Sequence, residues 1–322
     1  MRLDSRIFVA GHRGLVGSAI VKALREKGYS ELILRTRQEL DLLDFAALEE
    51  FFSSQKIEYI FLCAAKVGGI AANNTYRADF IYENLTLQNN LIYLAYKFGI
   101  KKLLFLGSSC IYPKLAPQPI KEDALLSGAL EYTNEPYAIA KIAGMKMCEA
   151  FNLQYQTNFI SVMPTNLYGE NDNFDLESSH VLPALMRKFH EAKVEGKSEV
   201  IVWGSGNPRR EFLHSSDMAQ ACIHVMESLD FADLCQGRDE VRNTHLNIGY
   251  GSDISIKELA LLLKEIVGFD GEVVFDASRP DGTYQKLMDS SRIFALGWKP
   301  QIALREGIKQ TYEWFLENEA RK

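Results

Sequence analysis

The chain has 322 residues, of which 47% are hydrophobic and 24% are charged, and its formal net charge is −6. A chain of this size can bury a large core, so we expect one large domain or two coupled domains. The acidic balance offers no basic field for a nucleic-acid backbone, and no apolar run reaches the roughly 18 residues of a membrane-spanning helix. The start also has no signal-peptide core, so these features favour a cytoplasmic protein with neither a membrane nor nucleic acid as partner.

Short apolar runs alternate with longer helical patterns over the first half of the chain. This alternation predicts an α/β fold, a doubly wound parallel sheet of the Rossmann type. The predicted strands cover residues 6–10, 32–34, 59–62, 102–106 and 159–163. The predicted helices cover residues 15–27, 45–55, 81–97 and 137–153.

The rhythm changes after Pro164, where a loop-rich stretch leads to a predicted helix over about 180–193 and a strand, EVIVWG. A further helix is predicted over 213–229. We therefore expect a smaller α/β lobe that holds the substrate. The predicted division assigns residues 1–166 and 212–243 to the Rossmann domain and residues 167–211 and 244–322 to the second domain.

The first predicted strand runs directly into the sequence GHRGLVG, residues 11–17, and then into a helix. Gly11, Gly14 and Gly17 allow a tight turn and a close approach of the backbone to a pyrophosphate at the helix N-terminus. The alternative is a tight turn without a ligand. The position of the turn in a βαβ unit favours dinucleotide binding.

The end of the second strand indicates which dinucleotide is bound. An acidic residue there would hold the ribose 2′-hydroxyl of NAD, whereas an arginine suits the 2′-phosphate of NADP. The sequence is LRTR, residues 34–37, with Arg37 as its last residue and no acid. We therefore expect NADP(H), with Arg13 either adding a third cation or lying as a solvated surface charge.

Tyr137 and Lys141 lie four residues apart behind a proline that starts a predicted helix, so they share one helical face. A phenol is a weak acid or base at neutral pH, and we expect the nearby ammonium group to lower the pKa of Tyr137. By itself, a tyrosine and a lysine at this spacing are more often ordinary surface residues without a catalytic role. The upstream glycine turn makes a catalytic pair the better interpretation.

The stretch GSSCIYP, residues 107–113, ends the fourth buried strand in two hydroxyls and a thiol. The chain has five cysteines, an odd number with wide spacing, which indicates neither a disulfide framework nor a zinc site. Four of them are expected to fill the core. Cys110 differs because it lies two residues after Ser108 at the carboxyl end of a strand.

These motifs together resemble the extended short-chain dehydrogenase/reductases over nearly the whole chain. The resemblance implies Ser108, Tyr137 and Lys141 as catalytic residues, and R-E-F-L-H-S-S-D, residues 210–217, as the segment that links the lobes. It also implies that the second lobe binds the nucleotide of a nucleotide sugar. The implied cofactor-binding residues are Gly11, His12, Arg13, Gly14, Leu15, Val16, Gly17, Arg37, Leu106, Gly107, Ser108, Ser109, Tyr137, Lys141, Pro164, Thr165, Asn166, Leu167 and His180.

Cys110 departs from what simple dehydratases and 4-epimerases of this family carry after the serine pair. A 4-keto group acidifies the protons on C3 and C5 of a sugar, so a thiol on one ring face and an acid on the other can invert those centres. The expected acid is His180, although its position behind Ser178 and Ser179 also fits a histidine at the start of a capped helix.

The resemblance to one group within this family is closer, because the chain contains three longer matching strings: KVGGIAAN at 66–73, GSSCIYP at 107–113 and PTNLYG at 164–169. They match family members that epimerise GDP-4-keto-6-deoxy-D-mannose at C3 and C5 and reduce it at C4. This implies a homodimer, in which the apolar faces of residues 81–97 and 137–153 form the interface, although from the residues alone these faces are equally ordinary core faces. No metal site is expected. The resemblance also implies Lys188, Trp203, Arg210 and Asp281 as substrate contacts. From the residues alone, Lys188 and Arg210 are equally surface charges, and Trp203 is equally a core aromatic residue.

Overall fold

The computed structural model describes residues 1–176, 178–237, 239–279 and 281–319. The strands are β1 (Ile7–Ala10), β2 (Leu32–Ile33), β3 (Tyr59–Leu62), β4 (Lys102–Leu106), β5 (Phe159–Pro164), β6 (Asn166–Tyr168), β7 (Glu199–Trp203), β8 (Arg209–His214), β9 (Leu246–Ile248), β10 (Asp253–Ser255), β11 (Glu272–Asp276) and β12 (Gln285–Lys286). The helices are α1 (Leu15–Glu26), α2 (Phe45–Ser54), α3 (Ile70–Thr75), α4 (Arg77–Lys97), α5 (Glu135–Tyr155), α6 (Val181–Val194), α7 (Ser215–Ser228), α8 (Phe231–Cys235), α9 (Ile256–Val267), α10 (Ser291–Ala295) and α11 (Leu304–Glu319).

The largest sheet has the strand order β2-β1-β3-β4-β5-β9, and all of its pairings are parallel. Alternate residues of each strand enter opposite cores: Phe8 of β1 joins the core under α2, α4 and α5, whereas Val9 joins the core under α1 and α7. Helices on both faces explain why the central strands are apolar throughout. The predicted fold class, a doubly wound parallel sheet, is confirmed.

The second lobe is built from two small sheets and three helices. Strand β8 pairs with β10, β12 and β6, and β7 pairs with β11. Apolar side chains of α6, α9 and α11 form a separate core with these strands. The segment that links the lobes is fixed by polar contacts, because His214 caps α7 through Ser216 N (3.2 Å) and the Asp217 carboxylate accepts a hydrogen bond from Ile302 N (2.9 Å).

Several observed boundaries differ from the predicted ones. Helix α4 begins at Arg77, not at residue 81, and the helix predicted from residue 213 begins at Ser215 because the preceding residues form β8. Strand β9 was not predicted and lies within the segment assigned to the second domain, although it pairs with β5 in the large sheet. The domain division itself stays a prediction.

No helix among the described residues is long and apolar enough to cross a membrane.

Candidate functional site

The glycine turn between β1 and α1 leaves no room for side chains. Gly11 has a φ of +84°, a conformation that residues with a Cβ rarely adopt. A Cβ at Gly17 would lie 2.7 Å from the carbonyl carbon of Gly11 and closer still to its oxygen. The helix begins behind Gly14 without a side-chain cap from the described residues, so its first backbone N–H groups remain available for an anion.

A cavity of about 520 Å³ adjoins this turn and extends to the end of β2. Its wall includes five of the predicted cofactor residues, Gly11, His12, Arg13, Gly14 and Arg37, together with Arg35. Burial lowers the pKa of His12, and the positive charge of Arg13 lowers it further. The cavity therefore combines a backbone cradle with three guanidinium groups, as a phosphorylated dinucleotide requires.

Two further predicted residues, Leu15 and Val16, lie in the first turn of α1, beside the glycine turn. Val16 is buried and belongs to the core under α1 and α7, and Leu15 packs against the same core. They hold the start of α1 against the sheet.

Ser108 and Cys110 lie at the carboxyl end of β4. The Ser108 hydroxyl accepts a hydrogen bond from Cys110 N (3.2 Å) and opens a short 3₁₀ turn, Ser109–Ile111. Ser109 is buried, whereas Cys110 is half-buried. The local geometry therefore directs the hydroxyl and the thiol of the GSSCIYP stretch to neighbouring positions, close to the last strand residues Leu106 and Gly107.

Tyr137 lies in the first turn of α5, close to the Ser108 hydroxyl. Lys141, one turn later, is buried, and its ammonium group donates to Leu106 O (2.9 Å). Burial raises the pKa of Tyr137 well above its ordinary value, and the sulfur of Cys110 raises it further, whereas the Ser108 hydroxyl lowers it. Burial also lowers the pKa of Lys141 to about 8.

The expected lowering of the pKa of Tyr137 by Lys141 is therefore not found. The ammonium nitrogen lies 5.8 Å from the phenol ring centroid and is directed to the Leu106 carbonyl oxygen, so desolvation dominates. As a result, the phenol stays protonated at neutral pH and is in the state that donates a proton.

The sulfur of Cys110 has two nitrogen neighbours from distant parts of the chain. Asn134 Nδ2 lies 3.3 Å from Sγ, and Lys286 Nζ lies 3.8 Å from it. Asn134 ends the 3₁₀ turn Tyr132–Asn134 before α5, and Lys286 ends β12 in the second lobe. Sequence reasoning missed both residues.

His180 is the residue that immediately precedes α6, and its ring makes no capping hydrogen bond to the described helix backbone. The ring is accessible to solvent. Removal of water by the surrounding protein lowers the pKa of His180, and the positive charge of Lys286 lowers it further. Neither serine caps α6, because His180 itself occupies the N-cap and so lies at the start of the helix.

A loop of the Rossmann domain supports the backbone before His180. Gly69 N donates to Ser178 O (2.8 Å), and a Cβ at Gly69 would lie 2.7 Å from Ser179 O. The Asn73 amide donates to the carbonyl oxygens of Gly68 (2.6 Å) and Gly69 (3.0 Å). This arrangement gives the sequence KVGGIAAN a physical role, since its glycines permit close contact and its asparagine holds the loop.

The four predicted substrate contacts gather on the second lobe. Trp203 is 66% exposed, which excludes the core alternative, and Lys188 Nζ lies 5.1 Å from its ring centroid. Burial lowers the pKa of Arg210, and the nearby Asp281 opposes this effect. Asp281 accepts hydrogen bonds from Ser205 N (2.9 Å) and Ser205 Oγ (2.6 Å). Arg210 and Lys286 occupy paired positions on β8 and β12.

The predicted residues after β5 join the two lobes. The Thr165 hydroxyl (3.3 Å) and the Asn166 amide (2.9 Å) both donate to Glu211 O on β8. Pro164 ends β5, and Leu167 pairs with Leu213 of β8. This segment therefore lies where the large sheet meets the second lobe, at the carboxyl ends of the parallel strands.

Known proteins resemble this chain over nearly its whole length. The family model described as "NAD dependent epimerase/dehydratase family" matches residues 7–249. The "Putative GDP-L-fucose synthase 2" of Arabidopsis thaliana is 59% identical over 99% of this chain and 94% of that protein. The "GDP-L-fucose synthase" of Escherichia coli K12 is 56% identical over 98% of both chains.

Among solved structures, "MlghC, GDP-mannoheptose C4 reductase from Campylobacter jejuni with NADP bound" is 48% identical, with a TM-score of 0.91 over 98% of this chain and 99% of that chain. The relationship that the motifs predicted is confirmed by these matches. The chain belongs to the NAD dependent epimerase/dehydratase family.

Proposed function

We propose that the protein catalyses the 3,5-epimerisation and the NADPH-dependent 4-reduction of GDP-4-keto-6-deoxy-D-mannose, with GDP-L-fucose as the product. One observation carries this proposal: the thiol of Cys110 lies beside Ser108 and Tyr137, and Lys286 connects it electrostatically to His180. A simple reductase needs only the hydroxyl pair. The thiol and the imidazole add the acid–base groups that epimerisation requires.

The chain's own residues fit NADP(H). Any Cβ at Gly17 would fill the cradle that the pyrophosphate needs, and Arg35 and Arg37 border the cavity where the 2′-phosphate would lie. When bound, this cofactor supplies the hydride for C4. Lys141 and Tyr137 would face the nicotinamide ribose and the sugar carbonyl.

In the reduction, Tyr137 donates its proton to the oxygen on C4. Its raised pKa keeps the proton in place until negative charge develops on that oxygen. Ser108 donates a hydrogen bond to the same oxygen and so orients the carbonyl group. The buried ammonium of Lys141 donates to Leu106 O (2.9 Å) and so ties α5, which carries Tyr137, to the end of β4.

In the epimerisation, the Cys110 thiolate takes the proton from C3 or C5, so an S–H bond forms as the C–H bond breaks. The electron pair moves into the carbonyl group and gives an enolate oxygen on C4. His180 donates a proton to the opposite face of the same carbon, and the carbonyl group forms again. The imidazole then regains a proton from solvent, and the Cys110 thiol releases its proton to solvent, so that both groups return to their starting states.

The second lobe would hold the GDP group. Lys188 and Arg210 carry positive charge for the diphosphate, and the exposed Trp203 offers a face for stacking. Asp281 offers carboxylate oxygens as acceptors. Binding the nucleotide there places the sugar at the carboxyl ends of β4 and β5, between the lobes.

The direct test offers the purified protein GDP-4-keto-6-deoxy-D-mannose and NADPH in deuterated water. We expect one NADPH oxidised per product, GDP-L-fucose as the product, and deuterium at C3 and C5. An unconsumed cofactor would instead indicate a 4-epimerase. Oxidation of NADPH with retained configuration at C3 and C5 would indicate a C4 reductase, the activity that the name of the Campylobacter protein describes.

We also infer that the protein acts in the cytoplasm as a homodimer. A free catalytic thiol at Cys110 suits a reducing compartment. Helices α4 and α5 pack side by side and leave Tyr82, Tyr93 and Leu153 exposed, as an apolar interface between two copies would require. Sedimentation of the purified protein as a 36.4 kDa species would contradict the dimer.

A further inference from the structure

Two nitrogen atoms surround the sulfur of Cys110, and they come from different lobes. Asn134 Nδ2 is 3.3 Å from Sγ, and Lys286 Nζ is 3.8 Å from it. We propose that Asn134 and Lys286 form a thiolate-binding pocket that holds Cys110 in the deprotonated form needed to take protons from C3 and C5. This inference deepens the proposed function and rests on it.

The position of Asn134 favours a role at the sulfur over a role in the helix. An asparagine before a helix usually caps it, but the Asn134 side chain makes no capping hydrogen bond to the described backbone of α5. Its amide group donates to the sulfur instead. The Ser108 hydroxyl accepts a hydrogen bond from Cys110 N (3.2 Å) and so holds the backbone that carries the thiol.

Lys286 contributes a full positive charge from the second lobe. An ammonium group beside a cysteine favours the thiolate, which is the reactive form of the side chain. Burial lowers the pKa of His180, and the same charge lowers it further. The favourable effect of Lys286 on the proposed reaction therefore falls on the base, Cys110.

Among the described residues, Tyr137 on α5 is another titratable neighbour of the sulfur, and its raised pKa keeps it neutral. Lys141 lies beyond the phenol ring and is directed to a carbonyl oxygen. The charge that stabilises the thiolate therefore comes from Lys286, and the directional hydrogen bond comes from Asn134. Hydrogen bonds to charged groups are stronger than those between neutral groups.

The variants Asn134→Asp, Asn134→Ala and Lys286→Gln test the pocket. Asn134→Asp keeps the shape of the side chain and replaces a donor with an acceptor, so it separates the hydrogen bond from packing. Thr133→Ala is the matched control, because Thr133 lies in the same 3₁₀ turn and its hydroxyl is bonded to Glu131 (3.4 Å). All are studied as full-length protein with NADPH bound.

Two measurements report on the thiolate. The first is the rate of alkylation of Cys110 by iodoacetamide as a function of pH, followed by mass spectrometry of the peptide. The second is deuterium uptake at C3 and C5 of the keto sugar. We expect Asn134→Ala and Lys286→Gln to lower deuterium uptake about 10- to 100-fold, as loss of a hydrogen bond or charge partner at an ionised group predicts.

The pH midpoint of alkylation should rise in the same variants, and Asn134→Asp should raise it furthest. Reduction at C4 should be affected less than deuterium uptake, and Thr133→Ala should match the wild-type protein in both measurements. Unchanged alkylation and uptake in Asn134→Asp and Lys286→Gln would overturn the proposal, as would an equal loss of uptake and reduction. Absence of uptake in the wild-type protein would contradict the proposed function itself.

Discussion

Replacement of Gly17 by alanine tests how tightly the fold sets the glycine turn. A Cβ at this position would lie 2.7 Å from the carbonyl carbon of Gly11 and 3.0 Å from the Cα of His12. Both neighbours are backbone atoms, so the clash is relieved only if the turn or α1 moves. Overpacking costs about 1–3 kcal/mol, and we expect the upper end of this range because no flexible side chain can yield.

Gly14→Ala is the matched control within the same turn. A Cβ at Gly14 would lie 3.6 Å from Gly11 O, an ordinary contact. We therefore expect Gly14→Ala to keep the unfolding temperature within about 2 °C of the wild-type value. Gly17→Ala should lower it by about 6–12 °C, since each kcal/mol corresponds to about 2–4 °C in proteins of roughly this size.

Thermal unfolding without cofactor and titration with NADPH, followed by fluorescence, separate the two effects. Gly17→Ala should lose both stability and NADPH affinity, whereas Gly14→Ala should lose affinity alone, because the backbone at Gly14 must approach the pyrophosphate. Equal unfolding temperatures for the two variants would refute the steric argument. Wild-type NADPH affinity in Gly14→Ala would refute the close approach.

Cys110→Ala should abolish deuterium uptake at C3 and C5 while hydride transfer to C4 persists, and Tyr137→Phe should do the reverse. NMR of the product measures the deuterium uptake, and NADPH oxidation measures the hydride transfer. Deuterium uptake at the wild-type rate in Cys110→Ala would exclude the thiol as the base. Burial lowers the pKa of Lys141 to about 8. This pKa lies below the ordinary lysine value of about 10.4, so unfolding takes up a proton between those two pH values, and the contribution of Lys141 to the free energy of unfolding should rise with pH in that window. Denaturant titrations at several pH values within the window check the sign. A contribution that falls with pH would contradict the prediction. Arg37→Glu should reduce the preference for NADPH, measured as kcat/KM with NADPH divided by kcat/KM with NADH, by roughly tenfold or more, because a charge-assisted contact with the 2′-phosphate is lost. An unchanged preference would mean that the 2′-phosphate binds elsewhere.

The parts of the site that the sequence predicted are those set by local geometry. Strand β1, the glycine turn and α1 follow one another along the chain, so the cradle can be read from spacing alone. Tyr137 and Lys141 share a helix face for the same reason, and Ser108 and Cys110 follow the strand that presents them. In each case the residues are close together in the sequence, so the period of the strand or helix determines the direction in which their side chains point.

The parts that the sequence did not predict depend on contacts across the fold. Asn134 and Lys286 meet Cys110 from 24 and 176 residues away, and neither spacing carries a periodic signal. The short strand β9 lacks a flanking pattern and forms because β5 offers a free edge. The pKa of Tyr137 was expected to fall, but burial outweighs the nearby ammonium group, and burial is a property of the folded chain.

His180 shows how the two lobes combine to make one site. It lies at the start of a second-lobe helix, yet its backbone is set by the Rossmann domain, because Gly69 N bonds to Ser178 O (2.8 Å) and Asn73 holds the carbonyl group of Gly69 (3.0 Å). This contact requires a glycine at position 69, because a Cβ there would lie 2.7 Å from Ser179 O. The Rossmann domain, which carries the proposed base Cys110, therefore also positions the proposed acid His180. The distance between these two groups consequently does not depend on the packing of α6 alone.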